Sequence, residues 1–210
     1  MKKSKSSHEW LKTHEDDEYV KRARAEGYRT RASYKLLEIN EKFELLKPGG
    51  CIVDLGAAPG GWSQVAIKAV GGQGKVIALD ILDMVPINDV EFIHGDFTED
   101  EPFERLLSMT SARPVDLVIS DMAPNLSGMK QIDQPQSAYL VELAIHLCDQ
   151  VLKKKGSLVS KCFEGDGIDE IRKAYKLRFD KVVNFKPKSS RSKSKEIFVI
   201  GLGHKNTPTR

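Results

Sequence analysis

Acidic residues recur at the ends of apolar runs in this chain. Cys51-Ile52-Val53 leads into Asp54, Lys75-Val76-Ile77-Ala78-Leu79 into Asp80, and Val90-Glu91-Phe92-Ile93-His94-Gly95 into Asp96. A fourth run, Val115-Asp116-Leu117-Val118-Ile119-Ser120, ends in Asp121. Continuous apolar runs rich in β-branched residues are the pattern of buried parallel strands. Carboxylates at successive strand ends would line one edge of a sheet, the edge where open α/β sheets bind ligands. Any single one could instead cap a helix or form a turn; the signal lies in the set.

The turn after the first run narrows the ligand. It reads Asp54-Leu55-Gly56-Ala57-Ala58-Pro59-Gly60-Gly61-Trp62, a D-x-G-x-x-P-G-G pattern. A nicotinamide-type site would show G-x-G-x-x-G, and a P-loop would end in Gly-Lys-Ser/Thr; neither is present. Glycines there allow close approach of a ligand to the main chain. An acid at the strand end suits a ligand with a cationic or hydroxyl-rich end better than a phosphorylated one. S-adenosylmethionine, with its amino group, sulfonium and ribose, is such a ligand. Asp80 stands at about the offset at which a second-strand acid grips ribose hydroxyls, roughly 20 residues on.

A lysine in an unusual place adds to this. Lys161 falls within Ser157-Leu158-Val159-Ser160-Lys161-Cys162-Phe163, a run that reads as a central strand. A buried lysine is costly unless paired, so Lys161 either reaches solvent at the strand end or has a partner. Lys35 lies beside the stripe Leu36, Ile39, Phe43 of a helix over 32–43; by position alone it is a surface lysine.

The elements that must position these groups alternate. Residues 9–26 and 32–43 read as helices, followed by a strand from Cys51, a helix from Trp62, strands to Asp80 and Asp96, and a short helix over 98–109. After Asp121, Pro124 and Asn125 force a turn, and the loop through Gly128 to Ile132 is long enough to move. Asp133-Gln134-Pro135-Gln136 carries a capping pattern that opens a helix, and Lys153-Lys154-Lys155-Gly156 closes it. A strand at 157–163, a helix at 169–177 and strands at 181–185 and 196–202 complete the chain. Between the last two lies Lys186-Pro187-Lys188-Ser189-Ser190-Arg191-Ser192-Lys193-Ser194-Lys195, basic and without an acid. It reads as a flexible hairpin loop or as a phosphate-contacting one, with the charge favouring the second.

A chain of 210 residues, 40% hydrophobic and 30% charged, fits one soluble domain with a sizeable core. No apolar run approaches the roughly 18–20 residues that span a bilayer. The basic, polar N-terminus has no apolar core, so no secretory signal is expected. Cys51, Cys148 and Cys162 stand apart without C-x-x-C spacing, so neither zinc nor any other metal is expected, nor a disulfide framework, which fits a cytoplasmic location. The net charge of +3 hides an asymmetry: ten Lys/Arg against six Asp/Glu over residues 1–35, and eight against one over 181–210. Two basic ends around an acidic middle suit a polyanion-facing surface.

Together these stretches resemble the FtsJ/RrmJ family of ribose 2′-O-methyltransferases. The likeness rests on Arg29-Thr30-Arg31-Ala32-Ser33-Tyr34-Lys35-Leu36, on Val53 to Gln64, on Ser120-Asp121-Met122-Ala123-Pro124-Asn125-Leu126-Ser127-Gly128 and on Ser190 to Glu196. It runs from about residue 8 to 203. It implies an α/β fold, the Rossmann-like class I S-adenosylmethionine-dependent methyltransferase architecture: a seven-stranded, mostly parallel sheet with the last strand antiparallel and helices on both faces. It implies a tetrad at Lys35, Asp121, Lys161 and Glu196, and cofactor contacts at Gly60, Trp62, Asp80, Asp96 and Asp121; the turn pattern adds Asp54, Gly56, Pro59 and Gly61. Ser160 and Cys162 replace the usual aliphatic residues beside the strand lysine. The bacterial members it most resembles methylate a uridine in the A-loop of 23S ribosomal RNA, which makes the 50S subunit the expected partner.

These features set the expectations. Residues 9–203 form one methyltransferase domain between a disordered basic tail, 1–8, and a C-terminal tail, 204–210, working as a monomer away from any membrane. RNA contacts are expected from Arg29, Arg31, Lys188, Arg191 and Lys193. Three rivals stand beside this: a 2′-O-methyltransferase of transfer RNA or cap structures, a non-catalytic RNA-binding assembly factor on the same fold, and a small-molecule methyltransferase. Intact acids and lysines disfavour the second, and the basic ends disfavour the third.

Overall fold

A computed structural model of the chain describes residues 17–124, 129–165 and 167–206. The expected tail 1–8, the first half of the 9–26 helix and the Asn125–Gly128 stretch lie outside the described residues. The elements in order are α1 (Glu18–Ala25), α2 (Ser33–Phe43), β1 (Cys51–Leu55), α3 (Gly61–Val70), β2 (Lys75–Asp80), β3 (Val90–His94) and α4 (Asp100–Ser111). They continue with β4 (Val115–Ser120), α5 (Lys130–Val151), β5 (Leu152–Phe163), α6 (Ile168–Arg178), β6 (Phe179–Phe185) and β7 (Glu196–His204).

The seven strands form one sheet in the order β3-β2-β1-β4-β5-β7-β6. β1 to β5 are parallel, and β7 runs antiparallel to both β5 and β6. The order reverses between β1 and β4, the switch point at which such sheets open a crevice at their carboxyl ends.

Alternation along each strand sends side chains to two cores. Val53, Leu55, Val118, Leu158, Ile197 and Val199 pack with α4, α5 and α6. Ile52, Leu117, Ile119, Val159, Phe198 and Ile200 pack with α2 and α3. Helices thus cover both faces, as the Rossmann-like reading requires. Among the described residues no helix is long and apolar enough to cross a membrane. The three cysteines are buried and unpaired.

Several boundaries differ from the sequence expectation. α5 begins at Lys130, before the Asp133-Pro135 capping pattern, and carries Pro135 inside it. The Asp133 N–H already donates to the Met129 carbonyl at 3.0 Å, so helical bonding has begun before Asp133 could cap it. At the other end the helix stops at Val151, and the three lysines belong to β5. Leu152 pairs with Val115 and Ser157 with Leu117, so Lys153–Gly156 bulge out between two ladder contacts, with Lys155 at φ 66°. β7 runs on to His204, which places that residue in the sheet and not in a tail.

Candidate active site and cofactor cleft

Four strand ends meet at the switch point. A cleft of about 370 Å³ is lined by Gly56 after β1, Asp80 and Ile81 after β2, Asp96 and Phe97 after β3, and Asp121 and Met122 after β4. Leu79, Leu82, Pro124 and Leu140 add apolar wall. The volume is in the ~300–1,000 Å³ range of small-molecule sites. Three of the lining residues are aspartates, and among the described residues none is lysine or arginine.

The backbone of the turn fits this cleft. Gly56 has φ +73°, and a Cβ there would meet Met122 at 2.8 Å; only glycine lets the β1 and β4 ends come so close. Asp80 accepts from the Ala58 N–H and the Leu82 N–H, both at 2.8 Å. Each carboxylate oxygen keeps a second acceptor position for a ligand hydroxyl. Asp96 is held by the Thr98 N–H at 2.8 Å and the Thr98 hydroxyl at 2.7 Å.

Other expected cofactor residues stand behind the cleft. Asp54 lies inside β1, not at its end, and is fully buried. It faces α3, and its Oδ2 accepts from the Ser63 hydroxyl at 2.6 Å while Oδ1 has no partner. Trp62 is a packing residue: it is buried, its Nε1–H donates to the Ala32 carbonyl at 2.8 Å, and its ring tilts against Phe198. Gly61 starts α3 with its carbonyl receiving the Ser33 hydroxyl at 3.0 Å. Gly60, at φ +103°, is buried under Ile87, Met84 and Arg29. Pro59 is exposed, and its carbonyl takes an Arg29 N–H at 3.0 Å. Sequence position marks these residues because they surround the turn; the side chains of Asp54 and Trp62 pack behind it.

Burial pushes the Asp54 carboxyl up to about 7, opposed by the Ser63 hydrogen bond and helped by Asp121 and Asp80. The unfolded chain has lost this proton above about pH 4. The folded state therefore holds a proton the unfolded state lacks between about 4 and 7, and stability falls as pH rises through that window. Asp54→Asn keeps the shape without the charge. It should raise the melting temperature at pH 8 by on the order of 10 °C, from about three pH units at ~1.4 kcal/mol each on the scale of about 2–4 °C per kcal/mol, and leave it little changed at pH 4. Melts of both proteins at the two pH values check this; parallel pH slopes would refute it.

The four tetrad residues come together. Lys161 and Glu196 share the strand parity of Val159 and Phe198, so both face α2, which carries Lys35. Lys35 Nζ lies 2.8 Å from Glu196 Oε2 and 3.9 Å from Asp121 Oδ1. Lys161 Nζ lies 3.0 Å from Asp121 Oδ1, off the line of a hydrogen bond, and donates to the Asp121 carbonyl instead. Lys161 is only 8% exposed. Neither lysine is a surface group: each has a carboxylate partner brought by another element.

A second cleft of about 240 Å³ opens on the far side of this cluster, lined by Arg31, Ala32, Lys35, Arg191, Ser194 and Glu196. Asp121 borders the acidic cleft and Lys35 and Glu196 the basic one, so the cluster stands between the two.

The expected RNA-facing residues divide. Arg191, Lys188 and Lys193 are exposed on the 186–195 loop. That loop is docked, not free: Glu38 accepts the N–H groups of Lys188 at 2.6 Å and Ser189 at 2.9 Å, and the Ser190 hydroxyl donates to Glu196 at 2.8 Å. Arg31 is mostly buried, paired with Asp17 and donating to the Ser189 carbonyl. Burial, then Arg191, lowers its pKa. Arg29 is a clamp: its guanidinium donates to the carbonyls of Pro59 at 3.0 Å, Val85 at 2.5 Å and Pro86 at 2.7 Å. It ties the 81–89 loop to the glycine turn, which leaves little of it for phosphate. Glu38 was missed because its partners stand 150 and 151 positions away; Ser63 and Ser190 lie only 9 and 6 positions from theirs, and they and Asp17 were missed because no periodicity of the sequence marks those pairings.

Comparison with known proteins agrees with this geometry. The FtsJ-like methyltransferase family model matches residues 28–204. The protein of Cellvibrio japonicus called ribosomal RNA large subunit methyltransferase E is 56% identical over 203 residues, 97% of this chain and 96% of its own. That of Pseudomonas aeruginosa PAO1 is 54% identical over 97% and 98% of the two chains. Among solved structures, a candidate ribosomal RNA methyltransferase of Plasmodium falciparum superposes with a TM-score of 0.76 at 29% identity, over 84% of this chain and 98% of its own. The fibrillarin pre-rRNA processing protein of Methanococcus jannaschii, 17% identical with a TM-score of 0.55 over 77% and 69% of the chains, shares the fold.

Proposed function

The chain belongs to the FtsJ-like methyltransferase family, and from that premise we propose that it methylates the ribose 2′-hydroxyl of a uridine in the A-loop of 23S ribosomal RNA, using S-adenosylmethionine. The observation that carries this reading is the lysine-carboxylate cluster between an acidic cleft and a basic one.

The acidic cleft fits the donor. Its aspartates suit an amino group, a sulfonium and ribose hydroxyls better than phosphates. Asp80 would hold the ribose, Asp96 and Phe97 the base end, and Asp121 the end nearest the tetrad. When bound, S-adenosylmethionine supplies an already activated methyl group.

The chain's own task is to aim one hydroxyl and manage its proton; positioning alone provides much of the rate. Lys161 takes the hydroxyl proton or orients the hydroxyl. Asp121 sets the direction of Lys161, and Glu196 holds Lys35, which in turn holds the ribose. Arg31, Lys188, Arg191 and Lys193 meet phosphates, and choosing the 2′-hydroxyl selects RNA over DNA. The reading takes residues 9–203 as one domain, acting as a cytoplasmic monomer on the 50S subunit.

The test is to map ribose methylation in 23S RNA from cells with and without the protein, and to add purified protein and methyl donor to the unmodified subunits. One 2′-O-methyluridine should appear with the protein. A methyl group on a base, or none on ribosomal RNA, would overturn the reading.

A further inference from the structure

A third cleft lies between α1, α2 and the end of β6 and takes no part in the tetrad. It spans about 790 Å³, and its lining includes Tyr19, Tyr34, Lys42, Phe185, Lys186 and Lys188. Three elements bring aromatic rings to it. Tyr19 and Tyr34 stand 5.4 Å apart at 52°, and Phe185 meets Phe43 edge-on at 5.6 Å. The face of Phe185 is covered by the ammonium of Lys42, 4.7 Å from the ring centre. A single exposed lysine on a ring face is more weakly held than a stacked base, so a base can take its place. The freed lysine then has a phosphate to turn to. Glu38 and Glu41 also line the cleft, and Glu38 is turned to the loop, accepting the Lys188 and Ser189 N–H groups.

The 186–195 loop joins this cleft to the tetrad. Lys186 and Lys188 border the aromatic cleft, while Arg191 and Ser194 border the basic cleft beside Lys35 and Glu196. Glu38 and Arg31 fix the loop between the two. A strand with its ribose at the tetrad therefore meets cations along the loop and aromatic rings at its end: Phe185 carries the exposed Lys42 ammonium on its face, and Tyr19 has the Arg31 guanidinium 5.5 Å from its ring centre. Cationic groups that track a backbone, interleaved with rings that accept any base, are the requirements of single-strand binding.

We propose that this cleft receives an unpaired base of the substrate RNA, from a nucleotide flanking the one that is methylated, stacked on Phe185 and Tyr19 with its phosphate at Lys186 and Lys188. The inference rests on the RNA reading above and adds a second, sequence-tolerant subsite to it.

The probe is a short labelled oligouridylate, titrated by anisotropy at one salt concentration, beside an RNA duplex of the same length. Phe185→Leu and Tyr19→Leu keep apolar bulk and lose the ring. Each should weaken oligouridylate binding roughly tenfold, leave duplex binding and S-adenosylmethionine affinity alone, and raise KM for RNA without lowering kcat. Phe185→Tyr should restore binding and guards against a folding defect. Unchanged oligouridylate affinity in both leucine variants overturns the proposal, as does an equal loss on the duplex. Lost binding to the intact subunit with oligouridylate binding retained also overturns it, and assigns the cleft to a ribosomal protein. Failure of the earlier reading looks different: no methyl transfer to RNA by the unaltered protein, whatever the leucine variants do to affinity.

Discussion

Replacing Lys161 by alanine is expected to lower kcat for methyl transfer to ribosomal particles by roughly 10²- to 10⁴-fold, the range for loss of a positioned proton-transfer group, with cofactor binding intact. Lys161 is buried in β5 opposite Phe198, where no water-exposed side chain can substitute for it. Without it, Asp121 and Glu196 share one cation, Lys35, at 3.9 and 2.8 Å. Removing one member of a buried ion pair also costs about 3–5 kcal/mol of stability. Assays therefore belong well below the variant's melting temperature, with Lys161→Met as an apolar control of similar length.

Lys161→Arg then separates the two roles. A guanidinium orients a hydroxyl but does not give up its proton in a protein. If Lys161 accepts the proton, arginine is as inactive as alanine; if it only orients the hydroxyl, arginine recovers part of the rate. The cofactor cleft is lined by Asp121, not Lys161, so binding of the methyl donor should survive in all three variants. Near-normal turnover of the alanine variant would remove Lys161 from both roles.

The strands were legible because β1, β2 and β4 are buried on both faces and so read as largely apolar runs, broken inside only by Asp54 and Asp116. Lys161 announced itself as a charge where burial forbids one unless it is paired. Lys35 did not. Its place beside the Leu36–Ile39 stripe is that of a surface lysine, and only β7, 161 positions further along, brings the Glu196 carboxylate against it. Arg29 shows the opposite case: its basic neighbourhood suggests phosphate, while its guanidinium also donates to three carbonyls of two loops. Local pattern reports what a residue is able to bind; the long-range packing decides what it does bind. The start of α5 shows the same limit, since Pro135 fits a first turn but stands inside the helix, where it gives up the bond to the Gln131 carbonyl and crowds it.

Reversing Lys188, Arg191 and Lys193 together to glutamate is expected to weaken RNA binding by on the order of 10²- to 10³-fold near physiological salt, and to lower the salt slope of log affinity by about 2–3, since each phosphate contact contributes ~0.7–0.9. These three are the right set because all are exposed on one loop. The bonds that dock the loop come from the main chain at Lys188 and Ser189 and from the Ser190 hydroxyl, so the variant keeps its loop geometry. Arg191 has a carboxylate neighbour, Asp17, at 3.8 Å across a half-exposed surface; such a contact is worth at most about 1 kcal/mol, too little to account for the expected loss. Arg29 is left out because three of its donors clamp two loops together, and Arg31 because its ion pair with Asp17 is mostly buried; the loss of either would confound folding with binding. A structural role for the loop would lower the melting temperature and leave the slope alone. A phosphate-facing role lowers the slope and leaves the melting temperature alone, and an unchanged affinity and slope would show that the RNA approaches the tetrad from elsewhere.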